Sequence, residues 1–326
     1  MKPTDTQPNA TPVASFGQRL ADAVLQKKNA VCVGLDPRTL SLPETIRPKL
    51  PASLESQASA FETFCLKIID AVSDLVPVIK PQAAFFEELG PEGMRVLARI
   101  IRHATQQGLL VILDGKRGDI GTTAAAYANA FLGSGPEGGP TYSAWGADAL
   151  TVNPFLGMDT LEPFIQRCDN SETGLFVLVK TSNPGSGFIQ DTTVNDLGIS
   201  SPGKSPPSNI SEAIADEIQA LAHGRIGPDG YSSVGAVVGA TYPAQLSAMR
   251  ERMPNAWLLI PGYGAQGGAA ADVVRGMDGR GLGAIVNSSR GIIFAHENPK
   301  YKSLPWIDAV RNATLDMIEA LRTAHS

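Results

Sequence analysis

Short apolar runs alternate with longer amphipathic stretches along most of the chain. Each run is continuously apolar rather than alternating, as expected for parallel strands buried on both faces. The runs are 30–36, 76–82, 109–116, 147–154, 174–182, 234–241, 256–264 and 283–291. Helical patterns lie between them, for instance at 57–75, 91–107, 209–223 and 304–324. Eight strand–helix units in about 310 residues predict an α/β fold, the TIM (β/α)8 barrel, with an open doubly wound sheet as the alternative.

A polar tail and two Gly/Pro-rich inserts interrupt this pattern. Residues 1–14 are rich in Pro and Thr and lack the apolar core of a signal peptide, which predicts a disordered N-terminal tail. The remaining residues, 15–326, are predicted to form a single barrel domain. The inserts at 132–146 and 183–208 predict long loops after strands three and five. Connections as long as the second insert are typically functional lids or disordered segments.

Charge and composition narrow the possible functions. The net charge of −5 and the pI near 5.5 argue against a nucleic-acid-binding surface. The chain has no apolar run of about 18 residues, so no membrane span is predicted. Three widely spaced cysteines fit a reducing cytoplasm. With only four histidines besides, a zinc site is not expected, while a weakly held divalent ion on carboxylates stays open.

Polar side chains collect where the apolar runs end. The carboxyl ends of barrel strands converge on one rim, where active sites lie, whereas a purely structural role would scatter such groups over both ends. The candidates at this rim are Asp36, Lys80, Asp114, Lys116, Asp119, Asn153, Thr181, Ser182, Gln266 and Arg290.

The third strand ends in the sequence "LDGKRGDI", which places Asp114 and Lys116 two residues apart on one face. Near the barrel mouth both would be partly desolvated, so each charge needs a partner, and Lys80 on the neighbouring strand can supply one. One interpretation is a salt-bridge network that closes the barrel. The other is a lysine that delivers a proton and is kept charged by carboxylates.

The loops after strands seven and eight indicate an anion site. The sequence "PGYGAQGG" brings glycines and Gln266, and "NSSRG" brings Arg290. Glycines let backbone N–H groups approach an anion, and arginine offers a planar fork of donors. In TIM barrels these two loops commonly bind phosphate. The alternative is a pair of ordinary turns with a solvated Arg290.

Structural alternatives exist for the weaker candidates too. Asp36, followed by Pro37, could cap the next segment, and Asn153 before Pro154 could be a turn residue. Ser182 could be a helix cap or a loop hydrogen-bonding group. Lys180 would point away from Thr181 and is interpreted as structural. Which of Thr181 and Ser182 faces a ligand depends on a single step of strand register.

These stretches resemble the orotidine 5'-phosphate decarboxylase family. The sequence "LDGKRGDIGTT" has its Asp-x-Lys-x-x-Asp-Ile pattern, and "GLDP", "IKPQ", "KTSNPGS", "PGYGAQGG" and "NSSRGI" stand in the family's order. The Asp-x-Lys-x-x-Asp pattern alone is shared with a sister group of sugar-phosphate decarboxylases, whereas the six stretches together are far more specific. The resemblance covers about residues 15 to 322, in the family's longer bacterial branch.

The resemblance implies roles for the charged residues. It implies a lyase that converts orotidine monophosphate to UMP and carbon dioxide without a metal or organic cofactor. The catalytic tetrad would be Lys80, Asp114, Lys116 and Asp119. Lys116 would protonate C6 of the pyrimidine, and Asp114 would face the substrate carboxylate.

The remaining implied roles concern binding and assembly. The active unit would be a homodimer, in which Asp119, with Ile120 and Thr123 beside it, reaches the partner's site. Residues 183–208 would be the lid. The other substrate-binding positions would be Asp36 for the ribose, Ser182 for the base, Gln266 and Arg290 for the phosphate, and Asn153 and Thr181 at positions of the substrate left open.

Two rivals remain for this interpretation. A sugar-phosphate decarboxylase or aldolase on the same scaffold would stabilise an enediolate with a divalent metal and would want one more carboxylate ligand. A catalytically silent barrel would merely bind a nucleotide. The presence of all four tetrad charges argues against the silent barrel, because a binding protein gains nothing from a carboxylate set against an anionic ligand.

Overall fold

Eight parallel strands close into a barrel in which each strand pairs with the next and the eighth with the first. This confirms the predicted α/β barrel and excludes the open sheet. The computed structural model describes residues 14–133, 144–194, 205–240, 243–264 and 267–326. The strands are β1 (Val31–Leu35), β2 (Val78–Pro81), β3 (Leu110–Arg117), β4 (Ala149–Val152), β5 (Gly174–Lys180), β6 (Val234–Val238), β7 (Leu258–Ile260) and β8 (Ala284–Ser288).

Helices surround the barrel and alternate with the strands. Several begin at a side-chain cap: Ser15, Ser53 and Asn209 each accept a hydrogen bond from the backbone N–H three residues on. The helices are α1 (Phe16–Lys27), α2 (Leu54–Val72), α3 (Ala83–Glu87), α4 (Gly90–Gln106), α5 (Gly121–Leu132), α6 (Glu162–Asn170), α7 (Gly187–Gln190), α8 (Ile210–His223), α9 (Pro243–Arg252), α10 (Ala270–Val273), α11 (Arg290–Ile293) and α12 (Trp306–His325).

Two apolar layers explain why the strand sequences are continuously hydrophobic. Side chains on one face of each strand fill the barrel interior, among them Ile112, Phe176 and Trp257. Side chains on the other face pack beneath the helices, among them Val111 and Val177. Because both faces of every strand are buried, a polar residue in a strand is conspicuous and needs a partner.

Helix α1 closes the amino-terminal end of the barrel. Phe16 is buried against Phe176 in an edge-to-face contact with ring centroids 6.0 Å apart. A Cβ atom on Gly174 would lie 2.0 Å from the Phe16 ring, so the start of β5 admits only glycine there. Ion pairing between Arg19 and Asp148 ties α1 to the residue before β4. This plug leaves the opposite, carboxyl end as the open end of the barrel.

The inserts and the tail are described only in part. Residues 1–13 of the predicted tail lie outside the described residues. The insert at 132–146 follows α5 rather than β3 itself, since only residues 118–120 connect β3 to α5, and its residues 134–143 are outside the described part. Of the 183–208 insert, 195–204 are outside it. No described helix is long and apolar enough to cross a membrane.

Candidate active site

A cavity of about 960 Å³ opens among the carboxyl ends of the strands. Its charged and polar lining includes residues that the sequence placed at this rim. Those that line it are Lys80, Asp114, Lys116, Asn153, Thr181 and Ser182. Much of the remaining lining is apolar, with Leu178, Val237 and Leu259 among it. A mostly apolar pocket with a few converging polar groups is the usual form of a small-molecule site.

An irregularity at the end of β3 places Lys116. The pairing of β3 with β4 jumps from Leu113 opposite Leu150 to Arg117 opposite Val152. Within the irregular stretch Lys116 has a φ of +45°, which is unfavourable for a side-chain-bearing residue. Its backbone N–H donates to Thr151 Oγ1 at 2.9 Å. Bulges next to active sites re-aim a side chain, and here the ammonium of Lys116 is turned back towards Asp114.

Asp114 is the centre of the polar cluster. Its Oδ2 accepts from Lys80 Nζ at 2.7 Å and from Gln82 Nε2 at 3.0 Å. Its Oδ1 accepts from Lys116 Nζ at 2.5 Å and from Thr151 Oγ1 at 2.9 Å. Each carboxylate oxygen therefore has one ammonium and one neutral donor. A buried carboxylate with both oxygens satisfied in this way is held ionised and fixed in orientation.

Electrostatics keep the cluster charged. Burial by itself would raise the pKa of Asp114, but the ammonium groups of Lys80 and Lys116 outweigh it and hold that pKa well below its usual range. Burial would likewise lower the pKa of Lys80, but the carboxylates of Asp114 and Asp36 overcome this and raise it. At neutral pH the buried pair is therefore an ammonium next to a carboxylate.

The two lysines differ in how far they reach into the cavity. The Lys80 side chain is 5% exposed, whereas that of Lys116 is 44% exposed. Lys80 is thus an internal counter-charge for Asp114. Lys116 presents donor hydrogens to whatever occupies the cavity, next to a carboxylate that a bound anion would also meet. Such a lysine can stabilise a developing negative charge and then transfer a proton to it.

Asp36 follows β1 beside this cluster. Its Oδ1 is buried and accepts no hydrogen bond from any described residue. Asp36 does not itself line the cavity, but its carboxylate lies close enough to Lys80 to raise the pKa of that lysine. Buried acceptors in native proteins are nearly always satisfied, so this oxygen has the capacity to accept a hydrogen bond from a ligand. If Asp36 capped the segment that follows β1, a backbone N–H would donate to its carboxylate, and Oδ1 accepts no such bond from the described residues.

The end of β5 contributes Thr181 and Ser182, and both line the cavity. The pairing of β5 with β6 shifts between Leu178 and Lys180, which alters the register that sequence alone could not fix. Lys180 does not line the cavity and pairs with Asp191 at 2.7 Å, in agreement with its structural interpretation. Asn153 lines the cavity although its Oδ1 also accepts from Phe155 N at 3.0 Å, so it is a turn residue as well.

The predicted phosphate loops are partly described. Gly262, Gly264 and Gly267 all have positive φ, so the loop after β7 turns in conformations that favour glycine. Arg290 begins α11, is exposed, and forms no ion pair or hydrogen bond through its guanidinium with the part of the chain that the structure describes. Gln266 lies outside the described residues. The anion role of Arg290 and Gln266 stays a prediction.

Asp119 and Thr123 lie on the rim but do not line the cavity of their own chain. Asp119 Oδ1 accepts from Ile120 N at 2.7 Å. Thr123 is exposed, and the Ile120 side chain is 63% exposed. The neighbouring Arg117 is engaged within the chain by Glu87. The structure gives Asp119 no ion pair or hydrogen bond to the Lys80–Asp114–Lys116 cluster among the described residues.

Two members of the cluster were not predicted from the sequence. Thr151 lies within β4 and Gln82 directly follows β2. A threonine inside an otherwise apolar strand was a usable sign, because a buried hydroxyl needs a partner. Gln82 was visible in "IKPQ", but nothing in the sequence alone connects it with Asp114.

Fold and cluster together define a (β/α)8-barrel enzyme built around an ionised Lys–Asp–Lys centre. The sequence profile described as "Orotidine 5'-phosphate decarboxylase / HUMPS family" matches residues 29–303. An orotidine 5'-phosphate decarboxylase of Rhodopirellula baltica is 51% identical over 313 residues, which cover 94% of this chain and 99% of the relative. One from Deinococcus radiodurans is 40% identical over 282 residues, 86% and 90% of the two chains. The chain belongs to the orotidine 5'-phosphate decarboxylase / HUMPS family.

Solved structures agree with this placement. A Streptomyces avermitilis structure named for orotidine 5'-phosphate decarboxylase superposes with a TM-score of 0.73 at 33% identity and covers 98% of this chain and 99% of its own. The Leishmania donovani OMP decarboxylase gives 0.70 at 30% identity, with 95% and 98% covered. The family's description carries two names, whereas these relatives bear the decarboxylase name alone.

Proposed function

We propose that this enzyme decarboxylates orotidine 5'-monophosphate to UMP in pyrimidine nucleotide synthesis, with Lys116 as the proton donor. The observation that carries the proposal is the Lys80–Asp114–Lys116 cluster at the cavity. It sets a fixed carboxylate and a reachable ammonium side by side where a substrate would lie. The names of the relatives support the substrate, and the geometry of the cluster supports the division of roles.

The reaction needs one proton and no electron acceptor. The bond between C6 and the carboxylate breaks, carbon dioxide leaves, and the electron pair stays on C6. The ammonium of Lys116 stabilises that pair and then donates its proton to C6, which gives UMP and a neutral amine that solvent reprotonates. Asp114 would face the departing carboxylate, and their repulsion falls as carbon dioxide leaves.

The other residues bind the substrate. Asp36, with its unsatisfied buried oxygen, accepts hydrogen bonds from the ribose hydroxyls. Ser182, with Thr181 and Asn153 near it, meets the base. Gln266 and Arg290 hold the phosphate, and residues 183–208 form the lid. Binding the remote phosphate then supplies the energy that closes the site around the reacting ring.

The metal-dependent rival on this scaffold requires a different centre. Both oxygens of Asp114 already accept from an ammonium group, so a divalent cation at Asp114 would have to displace Lys80 or Lys116. The described residues contain no group of three or more His, Cys, Asp or Glu side chains arranged to hold a metal ion. The ammonium groups on both oxygens of Asp114 favour electrostatic stabilisation by Lys116 over stabilisation by a metal at Asp114.

The active unit is proposed to be a homodimer in the cytoplasm. Asp119, Ile120 and Thr123 lie on the rim outside their own cavity, where they are available to a second copy. Mixing Lys116→Ala with Asp119→Ala enzyme tests this, because each hybrid dimer would contain one intact site. We expect about a quarter of wild-type activity from an equal mixture. Activity no higher than that of the separate variants would mean that Asp119 serves its own chain.

The activity itself is tested by mixing the purified protein with orotidine monophosphate, with and without EDTA, and following the fall in ultraviolet absorbance as UMP forms. Rapid loss that EDTA leaves unchanged is expected. No loss from the folded protein, together with turnover of a phosphorylated sugar acid on addition of magnesium, would favour the sugar-phosphate rival. Tighter UMP binding by Asp114→Asn with no turnover in either protein would favour a silent binding barrel.

A further inference from the structure

The wall of the cavity next to β5 is built by the segment that follows this strand. Short helix α7 brings Ile189 and Gln190 to the cavity lining, beside Thr181 and Ser182. Gln190 is half-buried. None of the roles proposed above uses its side chain.

The amide of Gln190 makes two hydrogen bonds to one residue. Its Oε1 accepts from the backbone N–H of Thr181 at 2.9 Å, and its Nε2 donates to Thr181 Oγ1 at 2.8 Å. The hydroxyl of Thr181 donates in turn to Asn183 Oδ1 at 2.7 Å. Gln190 thus accepts from the backbone N–H of Thr181, just beyond the end of β5, and also orients the Thr181 hydroxyl.

The same stretch is fixed from the opposite side by β6. Gly239 N donates to the carbonyl oxygen of Lys180 at 2.7 Å. A Cβ atom on Gly239 would lie 2.9 Å from both the backbone nitrogen and the Cβ of Ser182, so these two backbones touch directly. Thr181 and Ser182 are therefore held between Gln190 and Gly239.

An ion pair fixes the position from which Gln190 acts. Both carboxylate oxygens of Asp191 lie 2.7 Å from Lys180 Nζ, and the Lys180 side chain is 1% exposed. The end of α7 is thereby tied to the last residue of β5. Although α7 lies at the start of the segment proposed as the lid, this ion pair anchors its end to β5. The Gln190 amide is therefore held on a fixed support, which is what a precise positioning contact requires.

We propose that Gln190 is a positioning residue for base recognition, which holds Thr181 so that the adjacent Ser182 meets the pyrimidine in the correct register. The proposal rests on the proposed function, because it takes Ser182 as the group that binds the base. It predicts that loss of the Gln190 amide weakens binding of the base portion of a nucleotide and leaves binding of the sugar phosphate unchanged.

Binding of the base and binding of the sugar phosphate can be compared with two ligands. UMP contains both portions, and ribose 5-phosphate lacks the base. In Gln190→Ala we expect the dissociation constant for UMP to rise about tenfold, as for the loss of one to two hydrogen bonds, and that for ribose 5-phosphate to stay as in wild type. The matched control is Gln166→Ala, which removes an exposed glutamine on α6 whose side-chain amide donates to Glu162 of the same helix. It should bind both ligands like wild type.

Coupling to Ser182 distinguishes positioning from general loosening. In a Ser182→Ala background, Gln190→Ala should have little further effect on UMP binding, since the group that it positions is gone. Gln190→Glu keeps the acceptor for Thr181 N–H and should recover part of the affinity. An equal loss of affinity for UMP and ribose 5-phosphate, full additivity with Ser182→Ala, or wild-type UMP binding by Gln190→Ala would each overturn the proposal. Failure of wild-type enzyme to turn over orotidine monophosphate would instead contradict the proposed function.

Discussion

At each end of the barrel a buried aspartate forms an ion pair with a basic side chain. The two aspartates differ in their other partners and in whether they face open space. At the amino end, Asp148 is paired with Arg19, and its second oxygen accepts from Val111 N at 2.8 Å. At the carboxyl end, Asp114 is shared by two lysines, one of which is 44% exposed in a cavity of about 960 Å³.

We interpret this difference as the one between a structural contact and the proposed catalytic contact. Asp148 is balanced by a single guanidinium and the backbone, and it faces α1, which plugs the barrel. Asp114 has two ammonium partners, and the more exposed of them, Lys116, faces space that a substrate can fill. Polar residues at both ends of a barrel are thus compatible with a single site, because among the described residues the carboxyl end combines a partly exposed ammonium group with an open cavity.

Replacing Lys116 should have the largest effect on the functional end. Lys116→Ala removes the proposed proton donor, while Asp114 keeps Lys80, Gln82 and Thr151 as partners, so the fold should persist. We expect kcat to fall by about 10⁴-fold or more, since proton transfer and charge stabilisation are lost together. Steady-state kinetics with a circular dichroism check of folding tests this. Near-normal turnover would exclude Lys116 as the donor.

Replacing Arg290 distinguishes residues of the rim that bind the substrate from those that take part in the chemical step. Arg290→Ala removes a guanidinium that has no partner within the described part of the chain, so the folded state should lose little stability. If Arg290 holds the phosphate, KM for orotidine monophosphate should rise about 10- to 100-fold, as for loss of a charged hydrogen bond, with a smaller change in kcat. An unchanged KM would move the phosphate site elsewhere.

Lowering the pH should have a smaller effect than these two substitutions, and the quantity affected is the free energy of unfolding. The pKa of Asp114 is lowered in the folded state, so its ionisation stabilises the fold above the unfolded-state pKa of about 4. That contribution is lost as the pH falls from there through the lower folded-state pKa. The free energy of unfolding of Asp114→Asn should therefore lie below that of wild type at pH 7 and approach it below about pH 4. A constant difference from pH 7 to 3 would contradict the charged state assigned to Asp114.

Most of the fold could be predicted from the sequence, because strands buried on both faces leave an unbroken apolar pattern. The plug formed by α1 could not, since its amphipathic pattern resembles that of any surface helix. Its role depends on Phe16 entering the space that Gly174 leaves, which is a contact between distant parts of the chain.

The site was predictable where a residue type and a strand end coincide, as for Lys80, Asp114 and Lys116. It was not predictable where backbone irregularities decide. The positive φ of Lys116 and the shifted register between Leu178 and Lys180 are backbone features that neither residue type nor hydrophobic periodicity indicates. Gln190 lies in an insert without periodicity, so only the folded structure connects it with Thr181.

The most direct test of the contrast between the two ends is a parallel measurement of Asp114→Asn and Asp148→Asn, with kcat for orotidine monophosphate and the free energy of unfolding recorded for each. Both variants should lose stability, by about 1–5 kcal/mol. Asp114→Asn leaves the buried Lys80 without its carboxylate, and Asp148→Asn removes the buried carboxylate that pairs with the partly exposed Arg19. Only Asp114→Asn should lose turnover, while folded Asp148→Asn should keep the wild-type kcat. Equal losses of kcat in the two variants, or full turnover by Asp114→Asn, would contradict the assignment of catalysis to the Lys80–Asp114–Lys116 cluster.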